Sequence, residues 1–219
     1  MPVNKKYISD FLPNRYIHII GKAAGNTQLF MNDDNRTYFL KKYAAYSNGY
    51  FDTYAYTLLD NHVHFLVKCT DDVLLREHLK TFQPDMLKTH QKKYLYEEIN
   101  FSEACEFQFK DFFIAYAMAY NKMFNRRGAL FINPFRRILV EDESHFTMLI
   151  IYIHANVLKH GVRKDFMNYN WSSFKAFLSG KSTLLKREEV LDWFGGTEQF
   201  MKVHQELSKY YYEHIYAME

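Results

Sequence analysis

Asp60-Asn61-His62-Val63-His64-Phe65-Leu66-Val67 is the stretch on which the reading of this chain turns. Asp60-Asn61 is a turn signal. Strand formers stand on both sides of it, from Thr53 to Leu59 before and from His62 to Lys68 after, so the pattern predicts a β-hairpin. Along a strand, residues i and i+2 share a face. His62 and His64 therefore aim their imidazoles the same way, while Val63, Phe65 and Val67 face the other side. A lone histidine is readily absorbed by packing, but two polar rings buried side by side both need partners. Two neutral imidazoles on one face make half of a divalent-metal site.

Before the hairpin, Arg15 to Gly21 reads as a short first strand with Tyr16, His18 and Ile20 on one face, preceded by a loosely held arm over Met1 to Leu12. Asn32-Asp33-Asp34 caps a helix from about Asn35 to Ala45, with Tyr38, Leu40, Tyr43 and Ala44 offered to the core. Ser47-Asn48-Gly49 ends it. After the hairpin, Asp71-Asp72 caps a helix over about Val73 to Phe82. Pro84 and the stretch Lys88 to Lys93 then suit a flexible or protruding linker. From Glu103 to Asn125 the pattern is helical, because Phe109, Phe112, Phe113, Tyr116, Ala117 and Tyr120 recur at helical spacing. Arg137 to Glu141 is a fourth strand. Asp142-Glu143-Ser144 caps a helix from about His145 to Leu158, which Lys159-His160-Gly161 terminates. Three helices follow: one reaching Leu178, one over Lys186 to Gly195 and one over Thr197 to Tyr212. The order predicts an α+β fold with a ferredoxin-like β-α-β-β-α-β antiparallel sheet. Its helices lie on one face, with further helices inserted at about residues 73–125 and appended at the C-terminus. The division expected is a first domain over residues 1–165 and a helical extension over 166–219 packed on it.

Composition bounds the function. With 48% hydrophobic residues and 18% aromatic, including 18 Tyr and 20 Phe, the chain is not disordered. Apolar runs such as Met148 to Ile153 are far too short to span a bilayer. Lys5-Lys6 is followed by polar and turn residues rather than the apolar block of a signal peptide. A cytoplasmic protein without a membrane partner is expected. Cys69 and Cys105 stand in unrelated contexts and read as free thiols. Net charge is only +3, yet Lys122, Arg126, Arg127, Arg136 and Arg137 fall within sixteen residues that contain no acid, interleaved with Phe124, Phe131 and Phe135. That mixture suits a phosphate backbone and unstacked bases. A solvated helix end followed by a loop accounts for the segment equally well.

The helix after the fourth strand carries Tyr152 and Asn156, four residues apart and so on one face. Packed on the sheet, it brings both to the two histidines. His62, His64 and Asn156 would then hold Mg²⁺ or Mn²⁺ in a neutral ligand set with open positions. Such an ion polarises a phosphodiester and stabilises charge on its non-bridging oxygens. Tyr152 would attack phosphorus and form a covalent phosphotyrosine, which conserves the energy of the broken bond. Most of the tyrosines must be packing, and the spacing to Asn156 is what singles out Tyr152. Tyr116, Tyr120 and Tyr169 are rival nucleophiles, the first two on an aromatic stripe that suits a core. His18 and His154 are expected near the site as packing or DNA-contacting residues.

These motifs resemble a known family. Asp60 to Val67 looks like the His-hydrophobic-His (HUH) signature of single-tyrosine transposases, and Tyr152-Ile153-His154-Ala155-Asn156-Val157-Leu158-Lys159-His160-Gly161 looks like their nucleophile helix. Tyr169-Asn170-Trp171-Ser172-Ser173-Phe174 and Asn125-Arg126-Arg127-Gly128-Ala129-Leu130-Phe131 resemble stretches of the REP-associated tyrosine transposase branch. The resemblance runs from about Tyr16 to Phe177, with its motifs in the expected order. It implies that residues 1–165 are an HUH transposase-like catalytic domain. His62 and His64 would be metal ligands, Asn156 the third, polar ligand, and Tyr152 the nucleophile that forms a 5′-phosphotyrosine with single-stranded, hairpin-bearing DNA. Two positions depart from the pattern: the family commonly has proline where this chain has Asp60 and again where it has Val157. Neither change removes a reacting group, so activity is expected. Three other readings remain open at this stage: a catalytically silent DNA-binding module of the same fold, a metal-dependent hydrolase using activated water, and an interaction protein built on the aromatic helices. A monomer and a homodimer are both compatible with the sequence.

Overall fold

The computed structural model describes residues 7–159 and 165–214. Four strands, β1 (Tyr16–Lys22), β2 (Phe51–Leu58), β3 (His62–Cys69) and β4 (Arg136–Val140), form one antiparallel sheet in the order β2-β3-β1-β4. Eight helices accompany it among the described residues: α1 (Asp33–Ser47), α2 (Asp72–Lys80), α3 (Thr89–Leu95), α4 (Phe101–Met123), α5 (Glu143–Lys159), α6 (Phe174–Leu178), α7 (Arg187–Phe194) and α8 (Thr197–His214). The fold is the expected α+β one, with α1 and α4 as its two crossover helices. The inserted material proper is therefore α2 and α3.

Alternation along the strands separates two cores. Val63, Phe65 and Val67 of β3, with Ile17 and Ile19 of β1, pack against Phe39 and Tyr43 of α1 and Phe109, Phe112 and Tyr116 of α4. Leu66 of β3 points the other way, into a second core with Ile150, Ile153 and Val157 of α5 and Phe174, Phe194 and Phe200 of the C-terminal helices. The sheet is thus covered on both faces. This corrects the expectation of helices on one face: α5 lies opposite α1 and α4, on the side to which His62 and His64 point. A β-bulge between Thr53 and Ala55 sends both Tyr54 and Ala55 toward α5 while Thr53 faces α1. The strand thereby feeds both cores.

Local chemistry explains most of the boundaries. Asn32 caps α1 by accepting from the Asn35 backbone N–H at 3.0 Å, and Asn100 and Glu103 form a reciprocal capping box on α4. Gly49, at φ +75°, occupies the left-handed region, and a Cβ there would collide with the His78 ring. Several expectations are revised. Phe39, not Tyr38, fills the core from α1. The stretch Lys88 to Lys93 is no loose linker: at the N-cap of α3 the Lys88 N–H donates to Gln91 Oε1 at 2.9 Å and its Nζ pairs with Asp111 at 2.8 Å, and His90 bonds Gln108 at 3.1 Å. The N-terminal arm is held from Tyr7 onward, with Phe11 buried and the Ser9 N–H donating to the Arg137 carbonyl at 2.9 Å; residues 1–6 lie outside the described residues. Cys69 and Cys105 are neighbours, and burial followed by the presence of Cys69 pushes the Cys105 thiol up. The expected stop of α5 at Lys159-His160-Gly161 lies, from residue 160 on, outside the described residues.

The segment Tyr169 to Ser173 runs along the β2 edge. Leu58 N–H donates to the Trp171 carbonyl, Ser173 N–H donates to the Tyr56 carbonyl, and Tyr56 N–H donates to Ser173 Oγ. Ser173 Oγ also meets His154 Nε2 at 2.8 Å, His154 Nδ1 meets His204 Nε2 at 2.9 Å, and His204 Nδ1 donates to the Phe200 carbonyl at 2.8 Å. This buried chain of neutral groups fastens α8 to α5 and to the sheet. Burial holds the His154 imidazole well below its usual value and lowers His204 to about 4. In the unfolded chain both histidines take up protons as pH falls through about 6.5, and in the folded chain they do not until far lower. Stability should therefore be constant above about pH 6.5 and fall from there down to about pH 4, where His204 begins to take up its proton in the fold. Urea midpoints across that window check this, and a His154→Leu/His204→Leu double variant should flatten the profile.

Candidate functional site

β3 presents His62 and His64 toward α5 at the end of the sheet reached by the Asp60-Asn61 turn. Their rings lie 5.0 Å apart, nearly perpendicular at 78°. Each has its Nδ1 engaged. His62 Nδ1 stands 2.7 Å from Asn61 Oδ1, an acceptor, which places the proton on Nδ1 and the lone pair on Nε2. His64 Nδ1 stands 2.9 Å from His18 Nε2. His64 takes the same tautomer when His18 accepts. The contact arises from register: β1 pairs Ile20 with His64 and Lys22 with His62, so His18 sits diagonally across from His64 on the same face.

The turn before His62 is braced from outside. Asp60 pairs with Arg36 at 2.5 Å, and the Arg36 guanidinium lies over the rings of Phe30 and Trp171. The Asp60 carbonyl accepts from the Leu29 N–H at 2.6 Å. Here a side-chain ion pair stabilises a turn that the resemblance would have furnished with proline.

α5 runs over this face, held by Thr57 Oγ1 donating to the Ile153 carbonyl at 2.7 Å. The Tyr152 ring stands edge-on to His64 at 5.9 Å and to His18 at 6.2 Å. It is 2% exposed, so a DNA strand reaches its hydroxyl only after local opening. Asn156 follows one turn later on the same face. Its Nδ2 approaches the Tyr152 carbonyl at 3.5 Å, and its Oδ1 is buried and makes no hydrogen bond. A buried amide oxygen left in this state costs about 1–3 kcal/mol. Its retention suits an acceptor kept for a cation or a donor. Among the described residues no group of three or more His, Cys, Asp or Glu is placed to hold a metal ion. A cation here would rest on two imidazoles and the Asn156 oxygen, the neutral set expected, and that orphaned oxygen fits it.

The rival tyrosines are occupied elsewhere. Tyr116, Tyr120 and Tyr169 donate to the carbonyls of Leu29, Gln28 and Leu58 at 2.5, 2.8 and 2.6 Å. Burial also pushes the phenols of Tyr116 and Tyr120 up. His154 turns away from the two histidines to the Ser173–His204 chain.

The five basic residues separate. Lys122 and Arg127 are exposed around the end of α4. Arg126 braces that loop through Asn121, Gly128, Ala129 and Thr27. Strand alternation parts the last two. Arg136, paired with Ile20, lies on the histidine face with its guanidinium over the Tyr7 ring. Arg137 lies on the α4 face, 5% exposed, bonded to Glu106 at 2.7 Å and to the Ser9 carbonyl at 2.6 Å. This corrects its assignment as a phosphate contact, because the side chain is spent inside the fold. Sequence reading places His18 near the site without its partner, and passes over Asn61 and Lys22. Asn61 is visible as a turn residue but not as the partner of His62, and Lys22 is an isolated cation that only the β1–β3 register puts beside His62.

Breaking the Arg137–Glu106 pair leaves a charge largely buried. Arg137→Ala should therefore cost about 3 kcal/mol in urea unfolding, while Arg136→Ala stays within about 0.5 kcal/mol.

No protein-family model matches the sequence, and no curated protein matches it. Among solved structures, the chain resembles a REP-associated tyrosine transposase bound to a REP hairpin, at 12% identity and a TM-score of 0.52, over 81% of this chain and 88% of that one. At that identity the likeness is one of fold: this chain shares the α+β fold of that structure.

Proposed function

We propose that the protein cleaves and rejoins single-stranded, hairpin-bearing DNA through attack by Tyr152 on a phosphodiester. The observation that carries this reading is the Tyr152 ring 5.9 Å from His64, itself 5.0 Å from His62, with the orphaned Asn156 Oδ1 one helical turn further along α5. The hairpin substrate is supported by the fold neighbour, which was solved with a REP hairpin bound.

His62, His64 and Asn156 would hold Mg²⁺ or Mn²⁺, which when bound supplies charge stabilisation to the phosphoryl oxygens. The residues of the chain do the rest. Asn61 and His18 fix the two imidazoles from behind, so that neither ring must reorganise. Tyr152 Oη forms a bond to phosphorus as the bond to the 3′ oxygen breaks. The phenol gives up a proton and the departing 3′ oxygen takes one, so the step is balanced. The product is a 5′-phosphotyrosine, and attack by another 3′ hydroxyl reverses the sequence to rejoin a strand. Lys22 and Arg136, on the same sheet face, would meet the strand's phosphates, with Lys122 and Arg127 further out. The burial of Tyr152 favours a second reading, a protein of this fold that binds such DNA without cutting it.

Incubation with Mn²⁺ and single-stranded hairpin oligonucleotides separates the two. An SDS-stable protein–DNA adduct is expected, lost in Tyr152→Phe while DNA affinity changes by less than about twofold. An adduct that survives the substitution removes Tyr152 from its role, and DNA binding with no adduct from the unaltered protein favours the silent reading. His18→Ala should weaken Mn²⁺ binding, followed by calorimetric titration, by about 10- to 100-fold through loss of the group behind His64.

A further inference from the structure

At the far end of β1 from Lys22, on the same sheet face as His18, lies a cavity of about 540 Å³ that the reading above does not use. Asn14, Arg15, Tyr16, Glu141, Phe146 and Trp193 are among its walls. Its size falls in the range of small-ligand sites. The chemistry of the walls is specific. Trp193 is 43% exposed, and its indole is backed by Tyr54, stacked at 5.6 Å, and by Phe146, edge-on at 3.9 Å. Tyr16 closes the group at 5.9 Å from Trp193 and 4.7 Å from Phe146. Aromatic surface held this rigidly and left partly open is a stacking platform. Glu141 and Asp142 put two carboxylates on the wall; Glu141 is exposed and its carboxylate makes no hydrogen bond among the described residues, and Arg15 is an exposed cation on the same cavity.

We propose that this cavity receives one unpaired base of the DNA strand, stacked on Trp193, and that Glu141 selects for bases bearing an amino group. The inference rests on the DNA reading above. A free anion does not fit a wall with a carboxylate on it, and an apolar ligand has no use for that carboxylate. A nucleobase uses all three kinds of wall: its ring stacks, an exocyclic amine of cytosine or adenine donates to Glu141, and Arg15 faces the adjoining phosphate. Thymine, which carries a carbonyl oxygen where cytosine carries the amine, is disfavoured. The location is consistent with one continuous strand. Phe146 and Tyr152 are six residues apart on α5, about 9 Å along its axis, so a base held at Phe146 lies a short step from the phosphate that Tyr152 would meet.

The test uses the two tryptophans. In a Trp171→Phe protein, Trp193 is the sole indole, and its fluorescence is titrated with short oligo-dC and oligo-dT at low salt while anisotropy follows total binding. Saturable quenching by oligo-dC, about five- to tenfold tighter than by oligo-dT, is expected from one charge-assisted hydrogen bond. Glu141→Gln should erase that preference, because an amide donates to thymine as readily as it accepts from cytosine. Anisotropy that reports binding with no Trp193 response, or a response indifferent to base and to Glu141→Gln, overturns the pocket and leaves the DNA reading standing. Absence of binding in both measurements overturns both.

Discussion

The pairing of β1 with β3 is the constraint on which the site depends. With Ile20 set opposite His64, His18 meets the back of that ring, Lys22 meets His62, and the alternate residues Ile17, Ile19, Val63, Phe65 and Val67 are committed to the opposite core. A slip of one residue would exchange these sets, placing imidazoles among phenylalanines and aliphatic chains against α5. The large aromatic core under α1 and α4 is thus what fixes the polar face. Packing free energy spent on one side of the sheet holds two buried rings in orientation on the other.

Much of this was legible in the sequence, and the reason is period. The hairpin, the shared face of His62 and His64, and the i,i+4 relation of Tyr152 and Asn156 follow from backbone repeat alone. So do α4 and its aromatic stripe, although the cap at Asn100 moved its start. What period does not give is which side of a sheet a helix will cover. The chain from β4 into α5 crosses to the face opposite α1, and nothing within α5 itself announces that. Tyr38 and Phe39 show the same limit on a smaller scale, since both are aromatic neighbours on α1 and only the placement of α4 decides which one is buried.

The basic stretch shows a different limit. Charge counts treat Arg136 and Arg137 as equal, but in a strand they point to opposite faces, and one of them meets Glu106 and the N-terminal arm. Composition located the segment and could not apportion it. Asp60 and Val157, which stand where the resembled pattern has proline, also acquire their meaning only in the fold. In place, Asp60 is tied to Arg36, which also contacts Phe30 and Trp171, so the turn is stiffened by a cation rather than by a ring closure. Val157 is buried in the core of α5.

Both margins of the sheet are sealed. Along β2, Trp171 and Ser173 occupy the backbone groups of Leu58 and Tyr56, and Lys186 N–H takes the Thr53 carbonyl. Along β4, Ile8 and Ser9 do the same for Arg137 and Leu139. An unsealed border strand is a template on which another polypeptide can zip. With those borders closed, the sheet cannot be lengthened by a neighbour's strand, and any lasting contact between two copies has to be made with helices and side chains.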